Sequence, residues 1–188
     1  MKAARIHGWG GSDKIVIESV DRPHIGADEV LIEMRAASIN PVDWKIREGY
    51  LGKDAPLPIT LGSDGAGDIV EVGADVKQFK VGDAVYGMFG STFAEYAKAK
   101  AADIALKPKT LDYVQAGSLP VGIMTAWRSL VDTAHIHAGQ KVLVTGAAGG
   151  VGMFGVQFAK VKGAHVVGTA SGANEAFVRR GAFADSQR

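Results

Sequence analysis

A glycine-rich turn is the part of the sequence best suited to holding a ligand. It covers residues 145–152 (TGAAGGVG), between a strand-like apolar run at 141–145 and an apolar helical run at 151–162. Small residues let the backbone approach a diphosphate closely, and free amides at the start of a helix point at it. The spacing places Gly149 and Gly152 at the second and third glycine positions of the dinucleotide fingerprint, with Ala147 at the first.

This pattern predicts that the turn binds a diphosphate, because the flanking strand and helix that the motif requires are both present. The alternative is a tight turn that only packs the helix against the strand. The predicted contact residues are Ala147, Gly149, Gly150, Val151 and Gly152.

The end of the next predicted strand bears on the choice of nucleotide. About 20 residues after the turn, where an acidic residue would hold a ribose 2′-hydroxyl, the chain has residues 169–172 (TASG). With no carboxylate to repel it, a 2′-phosphate is acceptable there. Ser171 can donate a hydrogen bond to it, and Arg179 or Arg180 can supply positive charge. The sequence favours NADPH over NADH, although both arginines could be ordinary exposed helix residues.

The turn belongs to a predicted βαβ unit. Residues 141–145 and 165–169 form its strands, and the helix at 151–162 between them is closed by Gly163. The two strands are expected to be parallel and joined by a right-handed crossover. A further helix is predicted to begin at residues 174–180.

The preceding part of the chain predicts mostly β structure. Strand-like runs at residues 15–20, 29–34 and 68–72 are separated by glycine-containing turns. A short helix begins at Pro41 with Asn40 as its cap. Two further helices are predicted at residues 111–116, with Thr110 as N-cap and Asp112 in the first turn, and at 121–131.

Composition indicates an ordinary soluble globular protein. Of 188 residues, 47% are hydrophobic and 22% charged, and 21 basic residues nearly cancel 20 acidic ones. Nucleic acid and anionic membranes are therefore poor candidates as partners, and a small molecule is favoured. The absence of cysteine excludes disulfides and thiolate metal sites. The first residues lack a signal-peptide core and no run approaches the ~20 apolar residues of a membrane span, so the expected location is cytoplasmic.

Five separated stretches resemble medium-chain dehydrogenases/reductases of the quinone oxidoreductase branch. They are residues 37–45 (ASINPVDWK), 61–67 (LGSDGAG), 81–87 (VGDAVYG), 125–127 (TAW) and 146–152 (GAAGGVG). The resemblance implies an α/β protein, α+β overall, with a GroES-like, partly open β-barrel at residues 1–120. An incomplete Rossmann βαβ unit follows at 121–188. It also implies NADPH-dependent reduction of a quinone or an α,β-unsaturated carbonyl.

The same resemblance argues against a catalytic metal. Zinc-dependent alcohol dehydrogenases carry a histidine at the position of Ser63, and their four-cysteine structural lobe is missing here. The pair His135 and His137 is more typical of solvated or structural histidines than of ligands. No metal is therefore expected, and hydride transfer would depend on orientation and on hydrogen-bond donors.

Resemblance also places individual residues in the site. Asn40 and Thr125 would lie near the nicotinamide end of the cofactor, and Tyr50 would face the substrate cleft as a possible catalytic donor. The alternatives are a purely capping role for Asn40 and a half-exposed loop position for Tyr50. Trp44 and Trp127 are predicted to be core residues.

Length is the main departure from the family. Its members are roughly twice as long, and this chain supplies two of the six Rossmann strands, which predicts a truncation within that domain. An open sheet edge predicts self-association, as a dimer or larger homo-oligomer. Three hypotheses follow: part of an NADPH-dependent reductase; a catalytically silent, self-associating NADPH-binding or structural fragment; or a minimal enzyme whose cleft oligomerisation rebuilds.

Overall fold

The computed structural model describes residues 1–183, and the chain divides into two compact units with a boundary between Pro120 and Val121. The last five residues of the predicted second domain, 184–188, lie outside the described residues. The predicted fold class is confirmed, because a curled antiparallel sheet is followed by a parallel βαβ unit.

The first unit contains eight strands. They are β1 (Lys2–Ile6), β2 (Ile15–Ser19), β3 (Glu29–Ala37), β4 (Ile59–Thr60), β5 (Gly65–Val72), β6 (Ala84–Gly87), β7 (Tyr96–Lys100) and β8 (Ile104–Leu106). Five of them form an antiparallel sheet in the order β7-β3-β5-β6-β8, and β2-β1-β4 form a second antiparallel sheet. The strands predicted at residues 15–20, 29–34 and 68–72 are all present.

The core of this unit is a cluster of buried apolar side chains that centres on the five-stranded sheet. Val30, Ile32 and Val85 are fully buried there and pack in one cluster. The β3–β5 pairing shifts register twice, and such irregularities increase strand twist and bend a sheet. Gly67 permits the close pairing, since a Cβ at that position would lie 2.1 Å from the carbonyl oxygen of Glu33.

Two helices accompany this sheet, α1 (Pro41–Glu48) and α2 (Tyr113–Gly117). Asn40 is the N-cap of α1, as predicted. The predicted cap of α2 is wrong, because Asp112 rather than Thr110 occupies that position. Asp112 accepts a hydrogen bond of 2.7 Å from the amide of Gln115, whose side chain accepts one of 3.0 Å from the Asp112 amide. In a reciprocal capping box the N-cap lies three positions before its partner, and the residue three positions before Gln115 is Asp112.

The second unit carries the predicted βαβ arrangement. Its elements are α3 (Pro120–Trp127, which begins at the boundary), a π-helical turn (Arg128–Thr133), β9 (Lys141–Val144), α4 (Gly152–Val161), β10 (His165–Gly168) and α5 (Glu175–Phe183). β9 and β10 are parallel. α4 ends at Val161, and Gly163 follows its C-cap with a left-handed φ of 78°. The helix predicted at 121–131 is α-helical only to Trp127 and then widens into the π-helical turn.

One face of the β9–β10 pair is covered and the other is not. Val144 and Val166 pack with Val156 of α4 in a small cluster. Leu143 and Val167, which are direct neighbours across the two strands, are 63% and 61% exposed. The strands are thus apolar on both faces, the composition typical of a strand buried on both sides in a parallel sheet.

No helix within residues 1–183 is both long and apolar enough to cross a bilayer.

Candidate functional site

The glycine turn is held in place by the end of β10. Thr169 accepts hydrogen bonds from the amide of Ala147 through its carbonyl, at 2.8 Å, and from the amide of Gly146 through its hydroxyl, at 3.2 Å. Gly146 has a φ of 65°, so the left-handed residue of the turn lies one position before the predicted first fingerprint position. Ala147 is buried with Val156.

Three glycines of the turn have different physical roles. A Cβ at Gly152 would lie 2.2 Å from the carbonyl oxygen of Gly146, so only glycine permits this contact between helix and turn. A Cβ at Gly149 would lie 3.2 Å from the same oxygen. A Cβ at Gly150 would meet no atom within 4 Å. Packing within the chain therefore explains glycine at 152 and does not explain it at 150.

The amides of the turn also differ in whether they have a hydrogen-bond acceptor. The amides of Ala147 and Gly149 are engaged, the first by Thr169 and the second by the carbonyl oxygen of Gly146 at 2.9 Å. Within residues 1–183, the amides of Gly150 and Val151 have no acceptor. They lie at the N-terminus of α4 beside the open space at Gly150, an arrangement that fits the diphosphate of a dinucleotide. Of the predicted contact residues, Gly150, Val151 and Gly152 have amides without an acceptor within residues 1–183, so these three are available for it.

A cavity of about 370 Å³ lies beside β10 and α5, and its lining includes both Ser171 and Arg179. The structure thus brings together the two side chains predicted to recognise a 2′-phosphate. Arg179 Nε donates to Glu175 Oε1 at 2.8 Å, and Glu175 also lines the cavity. Ser171 Oγ accepts a hydrogen bond of 3.1 Å from Asn174 Nδ2, which leaves its proton free to donate.

In the first unit, Asn40 belongs to a network of buried polar groups. Its Nδ2 donates to Asp64 Oδ1 at 2.9 Å and to Ser38 Oγ at 2.8 Å. Ser38 Oγ donates to the same carboxylate oxygen at 2.5 Å. Asp64 is fully buried. Because a carboxylate only accepts, the nitrogen of the Asn40 carboxamide must face Asp64.

A second carboxylate, that of Asp43, lies in the same region and is 4% exposed. Its Oδ1 accepts from Ser63 Oγ at 2.6 Å, and its Oδ2 accepts from the backbone amide of Asn40 at 2.7 Å. Asp43 therefore caps α1 and holds Ser63 at the same time. By the resemblance, Ser63 stands where zinc-dependent alcohol dehydrogenases carry a histidine. Among residues 1–183, no group of three or more histidine, cysteine, aspartate or glutamate side chains could hold a metal ion.

Ser38, Asp43 and Asp64 lie inside the motifs that carry the resemblance, but no role was predicted for them. An available signal was the position of Asp64 directly before β5, a strand that becomes buried. A carboxylate that is buried in this way requires hydrogen-bond donors within the protein.

Tyr50 and Thr125, the other residues predicted near the substrate and the nicotinamide, lie in different units. Tyr50 is 71% exposed, and its ring packs edge-on against Trp44 at 5.6 Å. Thr125 is exposed near the end of α3, and its carbonyl oxygen accepts from Ser129 Oγ at 2.7 Å. Both side chains are exposed, so their hydroxyls are accessible to a ligand.

The prediction that Trp44 and Trp127 are core residues is wrong. Trp44 is 42% exposed and Trp127 is 37% exposed. Each ring makes one edge-on aromatic contact, Trp44 with Tyr50 and Trp127 with Phe158, and is approached by a lysine. These contacts cover part of each indole ring. The rest of the ring stays exposed, because an indole is too large to be buried completely by one helix.

A curled antiparallel sheet followed by a parallel strand pair with a glycine turn is the arrangement that the resemblance predicts for a GroES-like unit and a Rossmann βαβ unit. Comparison with known proteins agrees: residues 26–109 match the alcohol dehydrogenase GroES-like domain. The chain is 42% identical over 181 residues to 2-methylene-furan-3-one reductase of Solanum lycopersicum and 43% identical over 181 residues to NADPH-dependent alkenal/one oxidoreductase, chloroplastic, of Arabidopsis thaliana. Each alignment covers 89% of this chain and 45% of the relative.

A solved structure of the quinone oxidoreductase from Coxiella burnetii superposes with a TM-score of 0.86 at 35% identity. The superposition covers 96% of this chain and 60% of the Coxiella burnetii chain. These similarities support a quinone oxidoreductase-like protein of the medium-chain dehydrogenase/reductase type. It spans about half the length of the curated relatives it matches.

Proposed function

We propose that this chain provides the cofactor-binding turn and part of the catalytic framework of an NADPH-dependent oxidoreductase that reduces a quinone or an α,β-unsaturated carbonyl. The observation that carries the proposal is the pair of amides without acceptors at Gly150 and Val151, at the N-terminus of α4 and beside open space. The substrate class follows from the names of the relatives, which are furanone, alkenal/one and quinone reductases. Location in the cytoplasm is part of the proposal, supported by the absence of cysteine.

Zinc independence is supported by what the buried carboxylates already bind. Asp43 and Asp64 accept hydrogen bonds from hydroxyl and amide groups at 2.5–2.9 Å. These donors occupy carboxylate oxygens that would otherwise be available as ligands for a cation. When bound, the nicotinamide cofactor would supply the hydride. The contribution of the chain is then to orient ligands, with Asn40 held by the network and with Tyr50 and Thr125 offering exposed hydroxyls.

Discrimination between NADPH and NADH tests the proposal directly. The chain is titrated with each nucleotide by calorimetry, and tighter binding of NADPH is expected because the end of β10 lacks a carboxylate at the position that would hold the ribose 2′-hydroxyl. Arg179→Ala removes the positive charge at the cavity and is expected to weaken NADPH binding about 10-fold, the effect of one charge-assisted hydrogen bond, without changing NADH binding. Equal losses for both nucleotides would contradict 2′-phosphate recognition by Arg179. Failure to bind either nucleotide would reject the proposal.

A second candidate is a catalytically silent NADPH-binding or structural fragment that self-associates. The uncovered apolar face formed by Leu143 and Val167 favours it, because adjoining exposed apolar side chains promote association. Turnover of NADPH with a simple quinone would exclude the silent fragment. Sedimentation is expected to show dimers or larger species, and Leu143→Lys is expected to shift them toward monomer because a charge on that face opposes its burial. A monomeric wild-type chain would contradict self-association.

A further inference from the structure

The hydrogen-bond ladder between β9 and β10 continues one step past the ends of the two strands. The amide of His165 donates to the carbonyl oxygen of Gln140 at 2.7 Å. The amide of Thr169 donates to that of Val144 at 3.0 Å, so the ladder advances by the same number of residues on both strands. In a regular parallel ladder, a residue that donates to one position accepts from the amide two positions further on. The carbonyl oxygen of Thr169 would then accept from the amide of Gly146.

The ladder slips by one residue at Gly146. The carbonyl oxygen of Thr169 accepts instead from the amide of Ala147, at 2.8 Å. Gly146 has the left-handed φ of 65°, which glycine adopts without steric cost, and the extra residue leaves its amide outside the backbone ladder. The hydroxyl of Thr169 accepts this amide at 3.2 Å. A side-chain oxygen therefore replaces the backbone acceptor that the slip removes.

Gly146 transmits this contact to the rest of the turn. Its carbonyl oxygen accepts from the amide of Gly149 at 2.9 Å. The same oxygen lies so close to Gly152 that a Cβ there would be 2.2 Å away. The amides of Gly150 and Val151, which have no acceptor within residues 1–183, lie along the chain between these two contacts. The orientation of Gly146 therefore constrains the direction in which those amides point.

We propose that Thr169 is a positioning residue whose hydroxyl holds Gly146, so that the amides of Gly150 and Val151 are preorganised for a diphosphate. This inference rests on the proposed function and extends it to a residue outside the glycine turn, whose role requires no contact with the nucleotide. Preorganisation increases affinity because the cost of ordering the turn is met during folding rather than during binding.

Two substitutions of Thr169 separate its hydroxyl from its shape. Thr169→Val keeps the β-branched shape and removes the acceptor, whereas Thr169→Ser keeps the acceptor and removes a methyl group. In calorimetric titrations with NADPH, Thr169→Val is expected to bind about fivefold more weakly than the wild type, the factor that one ordinary hydrogen bond supplies. Thr169→Ser is expected to keep the wild-type affinity. A role in packing alone would give the opposite order, with a loss in Thr169→Ser and none in Thr169→Val.

Amide hydrogen exchange of the nucleotide-free chain tests the contact itself. In Thr169→Val, the Gly146 amide is expected to exchange about fivefold faster, because its acceptor is missing. The Ala147 amide donates to a backbone carbonyl and is expected to keep its wild-type rate, and Thr169→Ser is expected to restore the rate at Gly146. The matched control is Thr110→Val, the same substitution at an exposed threonine of the first unit. It is expected to change neither the exchange rates nor the affinity.

The two failures can be told apart. The inference is overturned if Thr169→Val binds NADPH as tightly as the wild type, or if its Gly146 amide exchanges at the wild-type rate. Either result, in a chain whose wild type binds NADPH, rejects the positioning role and leaves the proposed function intact. A wild-type chain that binds no NADPH rejects the proposed function, and the role of Thr169 in binding is rejected with it.

Discussion

Two glycines in one turn are expected to respond oppositely to the same substitution. At Gly152, an alanine Cβ would lie 2.2 Å from the carbonyl oxygen and 2.9 Å from the carbonyl carbon of Gly146. Both atoms belong to the backbone, so no side-chain rotation relieves the overlap. At Gly150 the added Cβ meets no atom within 4 Å, and the residue does not have a left-handed φ. Gly152→Ala therefore disturbs packing, whereas Gly150→Ala fills open space.

The expected magnitudes follow from these contacts. Overpacking against a backbone that cannot yield costs about 2–3 kcal/mol, which in a unit of this size lowers the melting temperature by roughly 10–20 °C. Gly150→Ala is expected to increase stability by about 0.4–1 kcal/mol, because alanine reduces the entropy of the unfolded chain. The same methyl group occupies the proposed diphosphate position. Loss of one charge-assisted hydrogen bond to phosphate would weaken NADPH binding roughly 10- to 100-fold.

Thermal unfolding and calorimetric titration with NADPH measure the two effects separately. Gly8→Ala is a control, since a Cβ there also meets no atom within 4 Å and the residue lies in the first unit. Its affinity for NADPH is expected to equal that of the wild type. The reasoning is refuted if folded Gly150→Ala binds NADPH as tightly as the wild type, because the space at Gly150 would then hold no phosphate.

Two further predictions concern pH. The hydrogen bond that Tyr113 donates to Asp68 raises the pKa of the tyrosine hydroxyl, so its stabilisation is complete below the unfolded value of about 10 and is lost as pH rises through the folded value. Tyr113→Phe should cost about 1 kcal/mol in urea denaturation at pH 7, and a smaller difference above pH 10 is expected; a pH-independent difference would contradict this coupling. The amide of Gly26 and the ammonium of Lys98 lower the pKa of Glu29, so its contribution is present above the unfolded value of about 4.3 and disappears as pH falls through the folded value. Glu29→Gln should flatten the loss of stability in acid, and an unchanged acid transition would show that Glu29 does not contribute to it.

The order of elements along the chain could be predicted from local sequence. The apolar, β-branched run in the strand at residues 29–34, the cap at Asn40 and the apolar runs around the glycine turn each depend on neighbours within a few positions. The cap of α2 was predicted at Thr110, with Asp112 in the first turn, and this was wrong. The spacing of Asp112 and Gln115 is itself a local capping-box signal that would have identified the cap.

For the candidate site, residue types alone predicted the turn and a preference for NADPH. Residue types could not show which amides of the turn are available to a ligand. The amides of Ala147 and Gly149 are engaged by acceptors that the folded turn and the end of β10 provide, whereas those of Gly150 and Val151 are not. They also could not show that the Trp44 ring remains at the surface.

What the sequence determined by itself was therefore the periodicity of each element and the presence of a diphosphate-binding motif, since both are properties of short segments. The role of Asp64 was decided only by tertiary structure. Twenty-four residues separate it from Asn40, and folding of β5 beside the segment that precedes α1 brings the two side chains within 2.9 Å. A buried carboxylate takes its function from the donors that surround it, and those donors are neighbours in space rather than along the chain.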